Sequence, residues 1–403
     1  MTSEESLAAI ESRIHPHEVL ELAREMVRIP SPYTEEAGIS RFIMARLVEW
    51  GFEPRAVPVE GHGDCVVAEF GDPTHPSIVL NGHMDTVKVV DGWTRDPFSA
   101  DVADGFLWGL GSSDMKSGLA ALMVAFRTLR DSGLVERHRI VFQAVSGEED
   151  IGAGTKKLLS SGEFDGASAV IVGEGIGGYE VLTNARRGGS YYDVVVKGKS
   201  AHGATPDKGI NAVVDASKIV CALDSMSLPR SEDLAGDDSN LLSETQTVLR
   251  IEGGATSLSV PDRCTIRVVR LAIPGGKRDY SKQIMAEIDK LGLKSEVEVS
   301  LLLGADEPYS PYITDPGSDL VAAVKAAVAR YTGVAPRALC GLSEADDNII
   351  SEALGIPVVC VGPGERHEIA RYHQPDEWIS VEQLEVAAQI YCAAVLDMDS
   401  SER

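Results

Sequence analysis

Arg139-Ile-Val-Phe-Gln-Ala-Val145 runs without a break into Ser146-Gly-Glu-Glu-Asp150. The first seven residues are short, largely apolar and rich in strand formers, which predicts a strand of the fully buried kind. The next five reverse the character, with a turn glycine followed by three carboxylates. The same juxtaposition recurs on either side. Ser77-Ile-Val-Leu80 enters Asn81-Gly-His-Met-Asp85, and Ala169-Val-Ile-Val172 enters Gly173-Glu174. Helical stretches rich in Ala, Leu and Met lie between, from Lys116 to about Leu129 and from Lys156 to Ser160. Strands alternating with helices predict an α/β layer with helices on both faces of the sheet. In such sheets ligands bind outside the carboxyl ends of the strands, so these oxygen and nitrogen donors converge on one crevice.

Upstream, residues 16–51 have helical spacing through Val19, Leu20, Leu22, Ala23, Met26 and Val27, then Phe42, Ile43, Leu47 and Val48. Cys65–Phe70 reads as a strand. Downstream, the texture changes near Arg187. Ser190–Lys197 reads as a half-buried strand, Asn211–Leu223 as a helix, and Ser231–Ser239 as a polar surface loop. Thr247–Ile251 and Cys264–Val269 follow as strands, then Tyr280–Leu291 as a helix. That order predicts a small α+β unit of the split type. After about Leu302 the first texture returns, with helices at Leu320–Tyr331 and Val381–Leu396 and a strand at Pro357–Val361. The economical organisation is residues 1–186 and 302–403 as one α/β unit, with 187–301 inserted into it.

A chain of 403 residues, 44% hydrophobic and 25% charged, is long enough for two cores. The net charge of −25 repels phosphate backbones and anionic lipid, so nucleic acid and membrane surfaces are poor partners. Six cysteines with no CxxC pair read as scattered reduced thiols. The beginning Met-Thr-Ser-Glu-Glu lacks a basic and then apolar leader, and no run reaches membrane length, so a cytoplasmic location is expected.

Each chemical fragment has a plainer reading. His83-x-Asp85 taken alone more often describes a turn with a hydrogen-bonded pair than a metal site. Glu148, Glu149 and Asp150 equally feed charge into the next helix. Asp114 equally caps the helix that follows it. Glu174 equally reads as a surface carboxylate, and His373 as a cap before Pro375. Their combination is what carries weight.

The combination resembles the co-catalytic zinc peptidases that include acetylornithine deacetylase, succinyl-diaminopimelate desuccinylase, aminoacylase and glutamate carboxypeptidase. The resemblance spans about residues 16–395. It is carried by Asn81-Gly-His-Met-Asp-Thr-Val87, Gly109-Leu-Gly-Ser-Ser-Asp-Met-Lys-Ser-Gly118, Ser146-Gly-Glu-Glu-Asp150, Lys199-Ser-Ala-His-Gly203 and Tyr372-His-Gln-Pro-Asp-Glu377. It implies a mixed sheet sandwiched by helices, with the insert serving as a dimerisation domain.

The resemblance also implies roles. His83 and Glu174 would bind one metal ion, Glu149 and His373 the other, and Asp114 would bridge them. Zinc is the expected metal, and the His and carboxylate donors also admit cobalt or manganese. Asp85 would hold the tautomer of His83, and Glu148 would be the general base. His202 would stabilise the tetrahedral oxyanion across a homodimer. Arg270 would clamp a substrate carboxylate, although Arg267 stands three residues away and either equally reads as a surface strand residue.

Some substrate-facing positions depart from the pattern. Leu258-Ser-Val-Pro261 lacks an asparagine common before the Val-Pro, Val268 or Val269 stands where many members are acidic, and Ser343-Glu-Ala-Asp-Asp-Asn348 is only similar to the usual run. The expected function is hydrolysis of an amide bond in a small N-acyl amino acid or peptide-like substrate. The alternatives are a related hydrolase with a carbamoyl or aromatic amine leaving group, and a non-catalytic small-molecule binding relative.

Overall fold

The computed structural model describes residues 3–15, 17–175, 177–230, 243–303, 307–364 and 371–400, and the loop expected at Ser231–Ser239 lies outside them. The chain forms two compact units. The first comprises Met1–Asn184, Thr314–Leu339 and Ala345–Arg403, and the second Ala185–Ile313 and Cys340–Glu344. The second unit thus runs past residue 301. Ala185 and Arg186 pair with Ile313 and Tyr312, so the outgoing and returning chains leave the first unit side by side.

The first unit is built on a mixed sheet. The early strands along the chain are β1 (Arg55–Val57), β2 (Cys65–Phe70), β3 (Ser77–His83), β4 (Val102–Ala103), β5 (Phe106–Trp108), β6 (Arg139–Val145), β7 (Ala167–Val172) and β8 (Val181–Arg186), whose last two residues fall in the second unit. The order in the sheet is β1-β2-β6-β3-β7, then the strand Val358–Cys360, then β8. β3 runs parallel to β6 and β7, while β2 pairs antiparallel with β6. All seven residues of β3 are buried, as expected of a strand covered on both faces. The helices α1 (Ser3–Glu11), α2 (Glu18–Val27), α3 (Ala37–Glu49), α4 (Ser117–Ser132) and α5 (Ala153–Ser160) accompany this sheet. In α4, Leu119, Leu122, Met123 and Phe126 are fully buried and join Leu80, Phe142 and Ile171 of the strands in one core. β4 and β5 form a separate small sheet with Trp378–Ser380.

The second unit is a four-stranded antiparallel sheet in the order β10-β11-β9-β12. Its strands are β9 (Gly188–Lys197), β10 (Thr245–Gly253), β11 (Arg263–Ala272) and β12 (Glu296–Leu301), and its helices α6 (Ala212–Asp224) and α7 (Ser281–Asp289). Along the chain this reads β-α-β-β-α-β, the split arrangement expected from sequence. Asn211 caps α6, its side-chain oxygen accepting from the N–H groups of Val213 and Val214. Alternate residues of two strands (Tyr192, Val194 and Val196; Cys264, Ile266 and Val268) pack with Ala216, Ile219, Ile284 and Ile288 of the helices.

This alternation corrects the expectation for Arg270. It shares the parity of Cys264, Ile266 and Val268, lies on the helix-covered face and is fully buried. Its guanidinium binds Glu244, with Nε 3.0 Å from Oε2, and stacks over the Tyr280 ring. The fork therefore meets an internal carboxylate instead of standing open to a substrate. Arg267, of opposite parity, pairs with Asp193.

Among the described residues, no helix is long and apolar enough to cross a membrane.

Candidate metal centre

The parallel register sets the ends of three strands level. His83 of β3 lies opposite Val145 of β6, and Asn81 opposite Val172 of β7. Beyond the last pairs, Met84 N–H donates to the Val145 carbonyl and Gly173 N–H to that of Asn81. His83, the Glu148-Glu149 pair and Glu174 therefore leave the sheet at the same level.

Asp114 arrives from the segment that leads into α4, where the Asp114–Met115 peptide is cis. The helix comes so close that a Cβ on Gly118 would lie 1.8 Å from the Gly173 carbonyl oxygen. No side chain fits there, and this contact seats Asp114 at the mouth of the strand ends. His373 comes from a loop whose backbone is left-handed at this position, with φ of +59°. Such a conformation costs on the order of 1 kcal/mol for a residue with a Cβ. Neighbouring contacts hold the loop in place. Asp376 accepts from the Thr94 N–H at 2.9 Å and the Thr94 hydroxyl at 2.8 Å.

Asp114 lies between two histidines. Its Oδ1 is 3.1 Å from His83 Nε2 and its Oδ2 is 3.4 Å from His373 Nε2. His373 Nε2 is also 3.0 Å from Glu149 Oε2. Single donor atoms of His83, Asp114 and Glu149 lie within 4.8 Å of one another. The Nδ1 of His83 faces the backbone oxygen of Asp85 at 3.0 Å, while the Asp85 carboxylate stands 3.7 Å away. It is thus the carbonyl of Asp85 that fixes the tautomer, leaving Nε2 free to act as a ligand. The Asp85 carboxylate instead accepts the N–H of Glu149 at 3.0 Å. It braces one expected donor with its backbone and another with its side chain.

The electrostatics of this cluster call for positive charge. Burial pushes Glu148 well up, and the charges of Asp346, Glu149 and Glu174 add to that push while His83 opposes it. Burial also raises Asp85, to about 7. Hydrogen bonds to Asp114 and Glu149 push His373 up to about 11. Burial works against a charged His83, yet its bond to Asp114 and the nearby carboxylates hold its pKa well above the usual range. Asp114 is held low against burial by those same two histidines. Crowded carboxylates that pull protons onto imidazoles, with mixed N and O donors, fit hard or borderline divalent cations.

Several supporting groups were not singled out from sequence. Glu377, fully buried, accepts the backbone N–H groups of Gly111, Ser113 and Asp114 at 3.0, 2.8 and 3.1 Å. Lys116 is buried and donates to the carbonyls of Met26 and Ile29 at 3.2 and 2.9 Å. Burial pushes its pKa down to about 7. Asp346 is buried and accepts the Thr155 hydroxyl at 2.6 Å. Glu377 and Asp346 sit inside stretches already noted, but nothing local in them says which acid turns inward.

His202 lies in the second unit, in the loop after β9, and is exposed. Its Nδ1 accepts the Ala204 N–H at 3.1 Å, so in the neutral ring Nε2 carries the proton.

Residues 79–397 match the peptidase family M20/M25/M40. A succinyl-diaminopimelate desuccinylase from Marinobacter nauticus is 27% identical, the match covering 92% of this chain and 96% of that protein. Among solved structures, the aminopeptidase PepT of Bacillus cereus superposes with a TM-score of 0.76 at 23% identity, covering 96% of this chain and 99% of that one. A Bacillus subtilis protein described as a dinuclear metal binding peptidase of the M20 family gives a TM-score of 0.70 at 17% identity, covering 96% and 98%. At these identities the two structural likenesses speak for the fold.

Proposed function

Since the chain belongs to peptidase family M20/M25/M40 and is a hydrolase, we propose that it cuts an amide bond in a small N-acyl amino acid or peptide-like substrate. The observation that carries this reading is Asp114 offering one carboxylate oxygen to each of two histidines. That arrangement supports a carboxylate that two cations would share. His83 and Glu174 would hold one cation, and Glu149 and His373 the other, with Asp114 common to both. Zinc is the proposed metal. The cations would supply Lewis acidity to the scissile carbonyl and acidify the attacking water.

The chain's own groups do the rest. Glu148 is the carboxylate left over once Glu149 is given to metal. It takes a proton from the water as the C–O bond forms, then delivers one to the nitrogen as the C–N bond breaks. Asp85 and Glu377 keep the donors in register. The chain acts as a homodimer through its second unit, with the Nε2–H of His202 donating to the developing oxyanion in the site of the partner. Support for this pairing is the Ser200-Ala-His202 motif and the exposure of His202.

The test is a panel of N-acetyl, N-succinyl, N-carbamoyl and dipeptide substrates, run on metal-depleted enzyme restored with zinc, cobalt or manganese. Metal-dependent release of amino acid from an N-acyl or dipeptide substrate is the expected result. Turnover confined to the carbamoyl compounds, or turnover indifferent to metal removal, would overturn the proposal.

A further inference from the structure

Two buried residues that precede the family-matched span take no part in the chemistry above. Glu36 is fully buried, and the His62 side chain is 6% exposed. They meet at 3.0 Å between His62 Nδ1 and Glu36 Oε1. Glu36 is itself fixed, since its Oε1 accepts the Thr34 N–H at 2.9 Å and its Oε2 the Gly63 N–H at 2.8 Å. An acceptor held by two backbone donors dictates that the Nδ1 of His62 carries a proton toward it.

The fixed ring lies against the loop of Glu148 and Glu149. Gly147 turns there with φ of +69°, and a Cβ on it would come 2.8 Å from both Cε1 and Nδ1 of His62. The far ring nitrogen, Nε2, faces Asp150 at 3.8 Å. The residue after His62 grips the same loop, because the Gly63 carbonyl accepts the Ser146 hydroxyl at 2.7 Å. On the other side of Glu148, the N–H of Glu149 is held by Asp85. The base is thus bracketed, with Gly147 resting on an imidazole and Glu149 tied to a carboxylate.

We propose that Glu36 and His62 are a positioning pair for the catalytic loop, setting where Glu148 and Glu149 stand. The inference rests on Glu149 being a cation donor. A pair that merely fastened residues 61–64 to α3 would lower stability when broken and leave the metal centre of the folded protein unchanged.

The test is Co(II) titration into metal-depleted full-length protein, read by visible absorption. The variants are His62→Phe, which keeps a flat ring against Gly147 but loses the bond to Glu36, and Glu36→Gln. Ser40→Ala is the control, because it loosens the same segment by removing the Ser40 hydroxyl bond to the Asp64 carbonyl without touching the pair. Circular dichroism establishes the folded fraction, and affinities are expressed per folded chain. If Glu36→Gln fails to fold, His62→Phe carries the test.

Both pair variants are expected to bind Co(II) about 10- to 100-fold more weakly, the usual loss when an outer support of a metal ligand is removed, with an altered spectrum. Ser40→Ala should match the wild type. Wild-type affinity and spectrum in the pair variants would overturn the inference, as would an equal loss in Ser40→Ala. If the wild type itself takes up no Co(II), the metal reading fails first and takes this inference with it.

Discussion

Glu377 holds Asp114 by its backbone. One carboxylate oxygen accepts the N–H groups of both Ser113 and Asp114, and the other that of Gly111. Glu377 lies four residues after His373, so one short segment supplies a histidine to the site and fixes the carboxylate facing it. Burial and the charge of Asp114 push Glu377 up to about 8, against the three donors that favour its ionised form. Glu377→Ala strands three buried donors, at a cost of about 1–3 kcal/mol for each unsatisfied group. We expect a lower unfolding temperature together with metal loss, measured by thermal unfolding and elemental analysis. An unfolding temperature and metal content unchanged from wild type would refute the role.

Asp114 is the group both cations would share. Protein purified without chelator should approach two divalent ions per chain, and Asp114→Ala should lose most of both. Elemental analysis decides the matter. Tight retention of two ions by Asp114→Ala would sink the bridging assignment.

Glu148→Gln keeps shape and removes basicity. Metal content should stay at the wild-type level while kcat falls by roughly two to four powers of ten, the usual size of general acid–base effects. Steady-state kinetics on metal-replete protein tests this. Near-normal turnover would assign the base elsewhere.

Co-expressed His202→Ala and Glu148→Gln chains test the proposed sharing of sites. Each homodimer should be nearly inactive, since one oxyanion donor is worth roughly two to three powers of ten. A purified mixed dimer should regain activity, because one of its two sites keeps both residues. No recovery would place His202 at work in its own chain or not at all.

Asp399 provides a pH-dependent fastening far from the metal centre. Burial alone would raise its pKa, but His138 and the N–H groups of Glu136 and Arg137 outweigh burial and hold it below the ordinary range. A depressed folded pKa contributes stability that is present above the unfolded value, roughly 3.9, and is lost as pH falls through the folded one. Asp399→Asn should therefore be less stable than wild type near pH 7, with the gap narrowing as pH drops toward 3. Urea midpoints at several pH values measure it. A gap that widens on acidification would contradict the assignment.

Much of the candidate site was legible because its signal is local. His83 ends one apolar strand, Glu149 and Glu174 stand shortly after two others, and β3, β6 and β7 announce themselves by composition. β8 did not. Val181–Arg186 reads as polar through Thr183, Asn184 and Arg186, yet all six residues are buried. Asn184 meets Thr314, far along the chain, through its own amide and backbone carbonyl. The partners of Arg270, Glu244 and Tyr280, are likewise unmarked in the local sequence, and its expected role as a clamp rested on the resemblance alone. Strand parity separates two faces, but not which face the helices will cover. The role of Glu377 was illegible because its three donors lie more than 260 residues upstream.

The gap at Gly118 sets a dimension. The helix that follows Asp114 and the strand end that precedes Glu174 meet there backbone to backbone, with no adjustable side chain between them. The span between these two proposed donors is therefore gauged by hard contact, much as a fixed spacer gauges a slot. A single methyl group at residue 118 would wedge the two carboxylates apart. Its first effect would fall on the radius of ion the slot accepts, shifting preference toward larger cations, ahead of any change in which substrate is cut.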